Sequence, residues 1–227
     1  KVLPIQLTVA SFAIVLTGTA LIFGLIQTEF KWMGISPATV VILGIFLVGS
    51  YILFRKSKST AVANEETPAH SLRWGYTCFA IASALILVSA PLLTISAQNI
   101  ATITGVSESF IGILALAIVT SLPEMTAVAA AIRIGAADLA VAQIYGTNAF
   151  NIAILAIADI FYTSGSIFAS LDASHLIAGT FAILLMCLGG IQIRLKKPLK
   201  HFSLVEPSSS LTVILYFTGV VIVFAAI

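Results

Sequence analysis

Thr120-Ser121-Leu122-Pro123-Glu124 is a short polar stretch in the middle of a long apolar run. A carboxylate inside a bilayer costs about 2.5–3.5 kcal/mol on insertion scales, so an acid at that depth usually has a function. Pro123 has no backbone N–H and its ring displaces the carbonyl four residues earlier, so we expect the helix to kink here. The stretch therefore predicts an ion site inside a membrane.

The composition of the chain excludes an ordinary soluble domain. Of its 227 residues, 59% are hydrophobic and only 9% are charged, and the mean hydropathy is +1.12. These shares lie far from those of a typical globular domain. Apolar runs close to the roughly 20 residues that cross a bilayer predict an all-α polytopic membrane protein with seven transmembrane helices. The predicted spans are 3–27, 35–54, 74–97, 108–132, 137–161, 174–193 and 211–227.

Basic residues predict the orientation, because the cytoplasmic loops of membrane proteins carry an excess of Lys and Arg. With Lys1 on the cytoplasmic side, only Lys31 of the 11 Lys and Arg residues falls in a loop on the other side. The interval 55–73 is the longest hydrophilic segment and is interpreted as a cytoplasmic linker. It divides the chain into a two-helix piece, residues 1–54, and a five-helix piece, residues 74–227.

The oxygen atoms near Glu124 suit a hard cation. Thr120 and Ser121 precede Glu124 by four and three residues, so on a helix the three side chains share one face. Hydroxyls, a carboxylate and carbonyls freed by Pro123 are ligands for Ca2+ or Na+ rather than for a soft transition metal. The alternative is a proline kink whose glutamate pairs with a neighbouring helix.

A second polar surface lies on the next predicted span. Gln143, Thr147 and Asn151 recur at four-residue intervals and so form a stripe along one side of a helix. Taken alone, such a stripe is typical of hydrogen bonding between membrane helices. Beside a buried Glu124 on the adjacent antiparallel helix, it is placed to complete an oxygen cage near the bilayer midplane, where coupled ions bind.

Other residue types give no further site. Cys78 and Cys187 fall within predicted spans without CxxC spacing and are expected to be buried core residues. Asp159, near the outer end of the fifth span, is expected to be an interfacial acid, with a role in ion entry as the alternative. No HExxH, Walker A, GxGxxG or GxSxG pattern occurs, so the sequence predicts neither an enzyme nor a cofactor nor a nucleic-acid partner.

Three motifs stand out: Ser107–Gly112 at the start of the fourth span, Thr120–Glu124 at its centre, and Gly146–Asn151 in the fifth. The segment 105–158 that holds them resembles the second alpha-repeat of the calcium/cation antiporter superfamily, which includes the sodium/calcium exchangers. The resemblance implies part of a ten-helix antiporter built from two inverted five-helix repeats. It also implies the cation ligands, which are Glu124 at the centre, oxygens from Thr120, Ser121, Thr147 and Asn151, and the backbone carbonyl of Ala117.

The sequence departs from the family pattern at several positions. Val119 replaces the usual Gly and Thr147 the usual Ser, which loosens close backbone packing. Asn151 stands where some sodium/calcium exchangers have Asp, which removes a titratable group and leaves Na+ or H+ open as the counter-ion. The chain has no second Thr-Ser-Leu-Pro-Glu segment, and residues 1–54 look like the last two helices of a first half. A missing N-terminal repeat or a second copy is therefore expected to complete the site.

The sequence as a whole predicts a secondary active antiporter that exchanges Ca2+ for Na+ or H+ by alternating access. We expect a multi-pass protein of a bacterial inner membrane, with cations and the lipid bilayer as its partners. The alternative is a non-transporting membrane scaffold or assembly subunit, in which the polar residues serve helix packing.

Overall fold

The computed structural model describes residues 3–60, 72–105, 117–195 and 207–226. Within these ranges the chain is helical and forms no strand, which confirms the predicted all-α fold. The helices are α1 (Leu3–Ile26), α2 (Pro37–Thr60), α3 (Leu72–Thr104), α4 (Ala117–Thr120), α5 (Leu122–Arg133), α6 (Ala137–Phe161), α7 (Ala173–Leu195) and α8 (Pro207–Ala225).

Five of the described helices are long and apolar enough to cross a membrane, so the protein is a polytopic membrane protein as predicted. Their apolar parts are Ile5–Ile26, Pro37–Lys56, Arg73–Thr104, Ala137–Phe161 and Ala173–Leu195. The seventh predicted span corresponds to α8, whose apolar part Ser209–Ala225 is shorter. The fourth is divided between α4 and α5, and its residues 108–116, with the motif at 107–112, lie outside the described part of the chain.

The chain packs as two compact units. Residues 1–60 and 126–227 form one of them, the large unit, and residues 61–125 form the other, the small unit. Helix α2 continues to Thr60 and α3 begins at Leu72, so both extend into the interval assigned to a linker. Residues 61–71 of that interval lie outside the described ranges, and the division into 1–54, 55–73 and 74–227 remains a prediction.

Helix α2 begins with an N-cap serine followed by a proline. The backbone N–H of Thr39 donates to Ser36 Oγ at 3.2 Å, and Val40 N–H donates to the Ser36 carbonyl at 3.2 Å. Ser36 is therefore the N-cap, and Pro37 occupies the first helical position, where its missing N–H costs nothing. Ser36 itself is buried.

A Schellman turn separates α5 from α6. Gly135 has a φ of +75°, and its N–H donates to the carbonyl of Ile132 at 3.0 Å. Ala136 N–H donates to the carbonyl of Ala131 at 2.8 Å. This bond pair ends a helix through a left-handed residue, the conformation that glycine adopts without a steric penalty. The next helix, α6, begins at Ala137.

Helix α1 is the centre of the large unit and packs against α2, α6 and α7. Small side chains such as Ala13 and Ala149 are almost completely buried in the shared core, and they let the helix backbones approach closely. Gly179 on α7 serves the same purpose, because a Cβ at that position would lie 2.6 Å from the Leu21 side chain.

Cys78 on α3 and Cys187 on α7 are both exposed, so the prediction that they are buried core residues is wrong. Apolar surroundings in the sequence do not imply contact with protein in a membrane span, because the outer face of such a helix meets lipid.

Candidate cation site

The helix that holds Glu124 is interrupted where the sequence predicts a kink. Helix α4 ends at Thr120, Ser121 forms a turn, and α5 begins at Leu122. The Ser121 carbonyl accepts a hydrogen bond from Met125 N–H at 3.0 Å, which starts the ladder of α5. Pro123 is the second residue of α5, where a backbone N–H has no partner within the helix anyway. The proline therefore prevents α4 from continuing through this point without weakening α5.

Glu124 lies in the first turn of α5. The N-terminal end of a helix carries partial positive charge, which stabilises a carboxylate there. Ser121 and Glu124 also have the spacing of a capping box, in which the glutamate bonds back to the cap residue. Nevertheless, Glu124 Oε2 is buried and has no hydrogen-bond partner within the described ranges. A buried carboxylate oxygen is costly without a partner, so this atom is available to a cation.

Because the helix is broken at Ser121, residue spacing alone does not place the predicted ligands beside Glu124. The spacing of Thr120, Ser121 and Glu124 places them on one face only if the helix is continuous, and the turn at Ser121 interrupts it. Both hydroxyl residues are exposed, and Ala117 is the first residue of α4. Their convergence with Glu124 on one ion remains a prediction.

The polar stripe of α6 lies away from the core of the large unit. The buried residues in the second half of α6 include Ala149, Ala153 and Ala156, whereas Thr147 is half-buried and Asn151 is exposed. At about 100° per residue, Thr147 and Asn151 lie on roughly the opposite side of the helix from these alanines. The stripe is therefore not part of the contact between α6 and α1 or α2.

The stripe makes no internal hydrogen bonds that would explain it. Among the residues that the structure describes, none accepts from or donates to the side chains of Gln143, Thr147 or Asn151. Glu124 belongs to the small unit and the stripe to the large unit, and their convergence on a single cation remains a prediction from the sequence.

The donor types fit a hard cation better than a transition metal. No group of three or more His, Cys, Asp or Glu side chains that could hold a metal ion occurs in the described part of the chain. A site built on one carboxylate, hydroxyls, an amide and carbonyls matches the oxygen ligands of Ca2+ and Na+.

The structure shows a polar cluster around Asp159 that the sequence alone did not predict. This residue is completely buried within the protein, and its carboxylate accepts hydrogen bonds from Ser36 Oγ and Thr39 Oγ1, each at 2.6 Å. The expectation of an interfacial acid stays a prediction, because burial against protein does not give the depth of the residue in the membrane. The available signals were an acid in an apolar span and Lys31 as the lone basic residue on the predicted outer side.

Residues 74–225 match the family model of the sodium/calcium exchanger protein. The match covers more than half of the chain, which therefore belongs to the sodium/calcium exchanger family. Helices α3 to α8 fall almost entirely inside the matched region, while α1 and α2 lie before it.

Two curated relatives share part of the sequence. The chain is 38% identical to the "Putative antiporter CaxA" of Alkalimonas amylolytica over 127 residues, which are 54% of this chain and 40% of the relative. It is 39% identical to the "Inner membrane protein YrbG" of Escherichia coli (strain K12) over 75 residues, 33% of this chain and 23% of the relative. The matched segments thus span less than half the length of either relative. No solved structure matches the chain.

Proposed function

We propose that this chain carries one of the two ion-binding repeats of a secondary cation antiporter, which exchanges Ca2+ for Na+ or H+ by alternating access. The observation that carries the proposal is Glu124 Oε2, buried and without a partner among the described residues, directly after a break in a helix. Broken helices of this kind form the ion sites of many transporters, because unwound carbonyls and helix ends supply ligands at membrane depth.

The proposed ligands come from three helices, α4, α5 and α6, and from the break at Ser121. Glu124 supplies the central carboxylate, with Ala117, Thr120 and Ser121 before it, and Thr147 and Asn151 supply oxygens from α6. Thr147 and Asn151 lie opposite the buried alanine face of α6, which supports a role in ligand binding over packing within the large unit.

A single glutamate cannot neutralise Ca2+. Glu124 contributes one negative charge against the two positive charges of the ion, and charged groups in a membrane interior need close compensation. We therefore propose that a second carboxylate comes from an N-terminal repeat outside this chain or from a second copy of it.

The membrane is proposed to be a bacterial inner membrane. One relative is described as an inner membrane protein, and all Lys and Arg residues except Lys31 fall on one side of the predicted topology. Such an asymmetry is expected of the cytoplasmic side.

The direct test measures uptake of radiolabelled Ca2+ into vesicles that contain the gene product with this chain. One arm loads the vesicles with Na+ and the other imposes a pH gradient. We expect uptake in one arm, and we expect Glu124→Gln to reduce it to background, because the amide keeps the shape of the side chain and removes its charge. Glu29→Gln is the matched control, since Glu29 is an exposed residue between α1 and α2.

The outcomes separate the two classes of function. Uptake driven by Na+ identifies the counter-ion as sodium, and uptake driven only by the pH gradient identifies it as the proton. If the folded protein takes up no Ca2+ in either arm, or if Glu124→Gln transports normally, the antiporter proposal is wrong. A non-transporting scaffold would then be the better description.

A further inference from the structure

Asp159 is a fully buried carboxylate whose oxygen atoms are surrounded by donors. Ser36 Oγ and Thr39 Oγ1 both donate to Oδ2 at 2.6 Å. The backbone N–H of Ile167 donates to Oδ1 at 2.6 Å, which folds the α6–α7 connection back over the carboxylate. Buried carboxylates are stable only with such compensation, so these contacts fix the geometry of three separate segments.

The carboxylate also faces the start of α2. Ser36 is the N-cap of that helix, and Thr39 Oγ1 additionally lies 3.3 Å from the carbonyl of Ala156 on α6. The partial positive charge at a helix N-terminus favours a neighbouring anion. Asp159 therefore joins the end of α6 to the beginning of α2 through both hydrogen bonds and charge.

Lys31 closes the cluster from the α1–α2 connection. Its ammonium donates to the backbone carbonyls of Asp159 at 2.5 Å and Tyr162 at 2.7 Å. It also lies 3.6 Å from Asp159 Oδ1, and its side chain is only 13% exposed. A cation at the C-terminal end of a helix is favoured by the negative end of the helix dipole. Lys31 and Asp159 thus balance each other's charge at the last turn of α6.

Asp159 lies on the same helix, α6, as two of the proposed cation ligands, Thr147 and Asn151. Asn151 precedes Asp159 by eight residues, which is about 12 Å along a helix. The other parts of α6 are also held: Gln6 on α1 donates to Asp138 in the first turn, and Tyr145 donates from its hydroxyl to the Met186 carbonyl at 3.0 Å. The rotation and height of the polar stripe are therefore set by anchors on both sides of it.

We propose that Lys31, Ser36, Thr39 and Asp159 form a latch that holds the outer half of α6 against α1 and α2, and that Asp159 is thereby a positioning residue for Thr147 and Asn151. The positioning role of Asp159 rests on the proposed cation site, whereas the latch does not. It gives α1 and α2, which lie before the region matched by the family model, a role in ion binding. Groups that orient a metal ligand typically change metal affinity by about 10- to 100-fold when they are removed.

The test compares Asp159→Asn with a control variant at another packed position of the large unit. Gly179→Ala introduces a methyl group 2.6 Å from Leu21 between α1 and α7 and does not touch the latch. Amide hydrogen exchange of residues 147–161 is measured for both variants, together with the Ca2+ concentration that gives half-maximal uptake and the maximal rate. A second variant, Lys31→Met, removes the ion pair and leaves the hydroxyl contacts to Asp159 in place.

For Asp159→Asn we expect faster exchange across residues 147–161 and a rise of about tenfold in the half-maximal Ca2+ concentration, with Lys31→Met changing both in the same direction. Any effect of Gly179→Ala on the maximal rate should come from a change in the amount of folded protein. The half-maximal Ca2+ concentration should stay unchanged. Unchanged exchange in both latch variants would overturn the latch. Faster exchange with an unchanged half-maximal concentration would overturn the positioning role.

The exchange measurement also separates this proposal from the proposed function. If the wild-type protein takes up no Ca2+, the cation site and the positioning role fall together. The latch itself then stands or falls on hydrogen exchange alone, which requires no transport.

Discussion

Asn151 is the residue at which the choice of counter-ion can be tested most directly, because an amide does not titrate. Asn151→Asp adds a carboxylate to the proposed site, and we expect protons to compete with Ca2+ for it. Ca2+ uptake by this variant should fall as the pH is lowered, since protonation removes the added negative charge, and it should fall more steeply than uptake by the wild type. The measurement is the pH profile of the initial uptake rate in Na+-loaded vesicles.

Asn99→Asp is the matched control for that variant. Asn99 is an exposed residue near the end of α3 and is not among the proposed ligands. An equal change in the pH profile of both variants would show that a charge added to any of these helices has this effect, and would contradict the assignment of Asn151 as a ligand.

The role of Glu124 could be proposed from the sequence, whereas the contacts of Asp159 could not. Glu124 was predictable because its signal is local: an acid, a proline and two hydroxyls within five consecutive residues. The partners of Asp159 on α2 are 120 and 123 residues away in the chain. No spacing rule connects such positions, and an acid near the end of a span gives the same local pattern whether it is exposed or buried.

At the scale of elements, the break between α4 and α5 should depend on Pro123. We expect Pro123→Ala to let the backbone N–H at position 123 bond to the carbonyl of Val119, which joins α4 and α5 into one helix. Amide exchange near Ser121 should become slower and Ca2+ uptake should fall, because carbonyls used in a helical ladder no longer serve as ligands. Hydrogen exchange and uptake measured on the same preparation check both effects.

Pro91→Ala provides the comparison, since Pro91 is also a proline within an apolar helix, α3. That substitution should leave Ca2+ uptake near the wild-type level. If removal of either proline reduces uptake equally, the effect belongs to membrane helices in general rather than to the α4–α5 break.

Most helices could be predicted from the sequence, because a membrane helix is a long run of apolar residues. The residues at which the helices end were harder to predict. The third apolar run stops near residue 97, yet α3 continues to Thr104, because a helix does not have to end where its hydrophobic stretch ends. Likewise, α2 extends to Thr60 through Arg55 and Lys56, since basic residues are good helix formers as well as topology signals.

At the scale of the whole molecule, the described contacts of the large unit agree with the predicted alternation of loops. Lys31, between α1 and α2, contacts Asp159 and Tyr162 at the end of α6. Gln6, near the start of α1, donates to Asp138 at the start of α6. Helices α1 and α6 therefore run parallel, as the first and fifth of seven alternating spans must. The side on which each end lies still rests on the distribution of Lys and Arg.

A complete Ca2+ site needs more negative charge than Glu124 alone supplies. With Glu124 as the one central carboxylate, the purified chain should retain its helices in vesicles yet exchange no Ca2+ as a monomer, because a divalent ion at membrane depth would keep an uncompensated charge. Adding the N-terminal repeat, or raising the protein density until copies associate, should produce uptake that Glu124→Gln abolishes. Circular dichroism checks the fold and single-molecule photobleaching counts the copies. Uptake by vesicles that hold a single copy would show instead that the ligands of this chain suffice, and the charge argument for a second carboxylate would have to be abandoned.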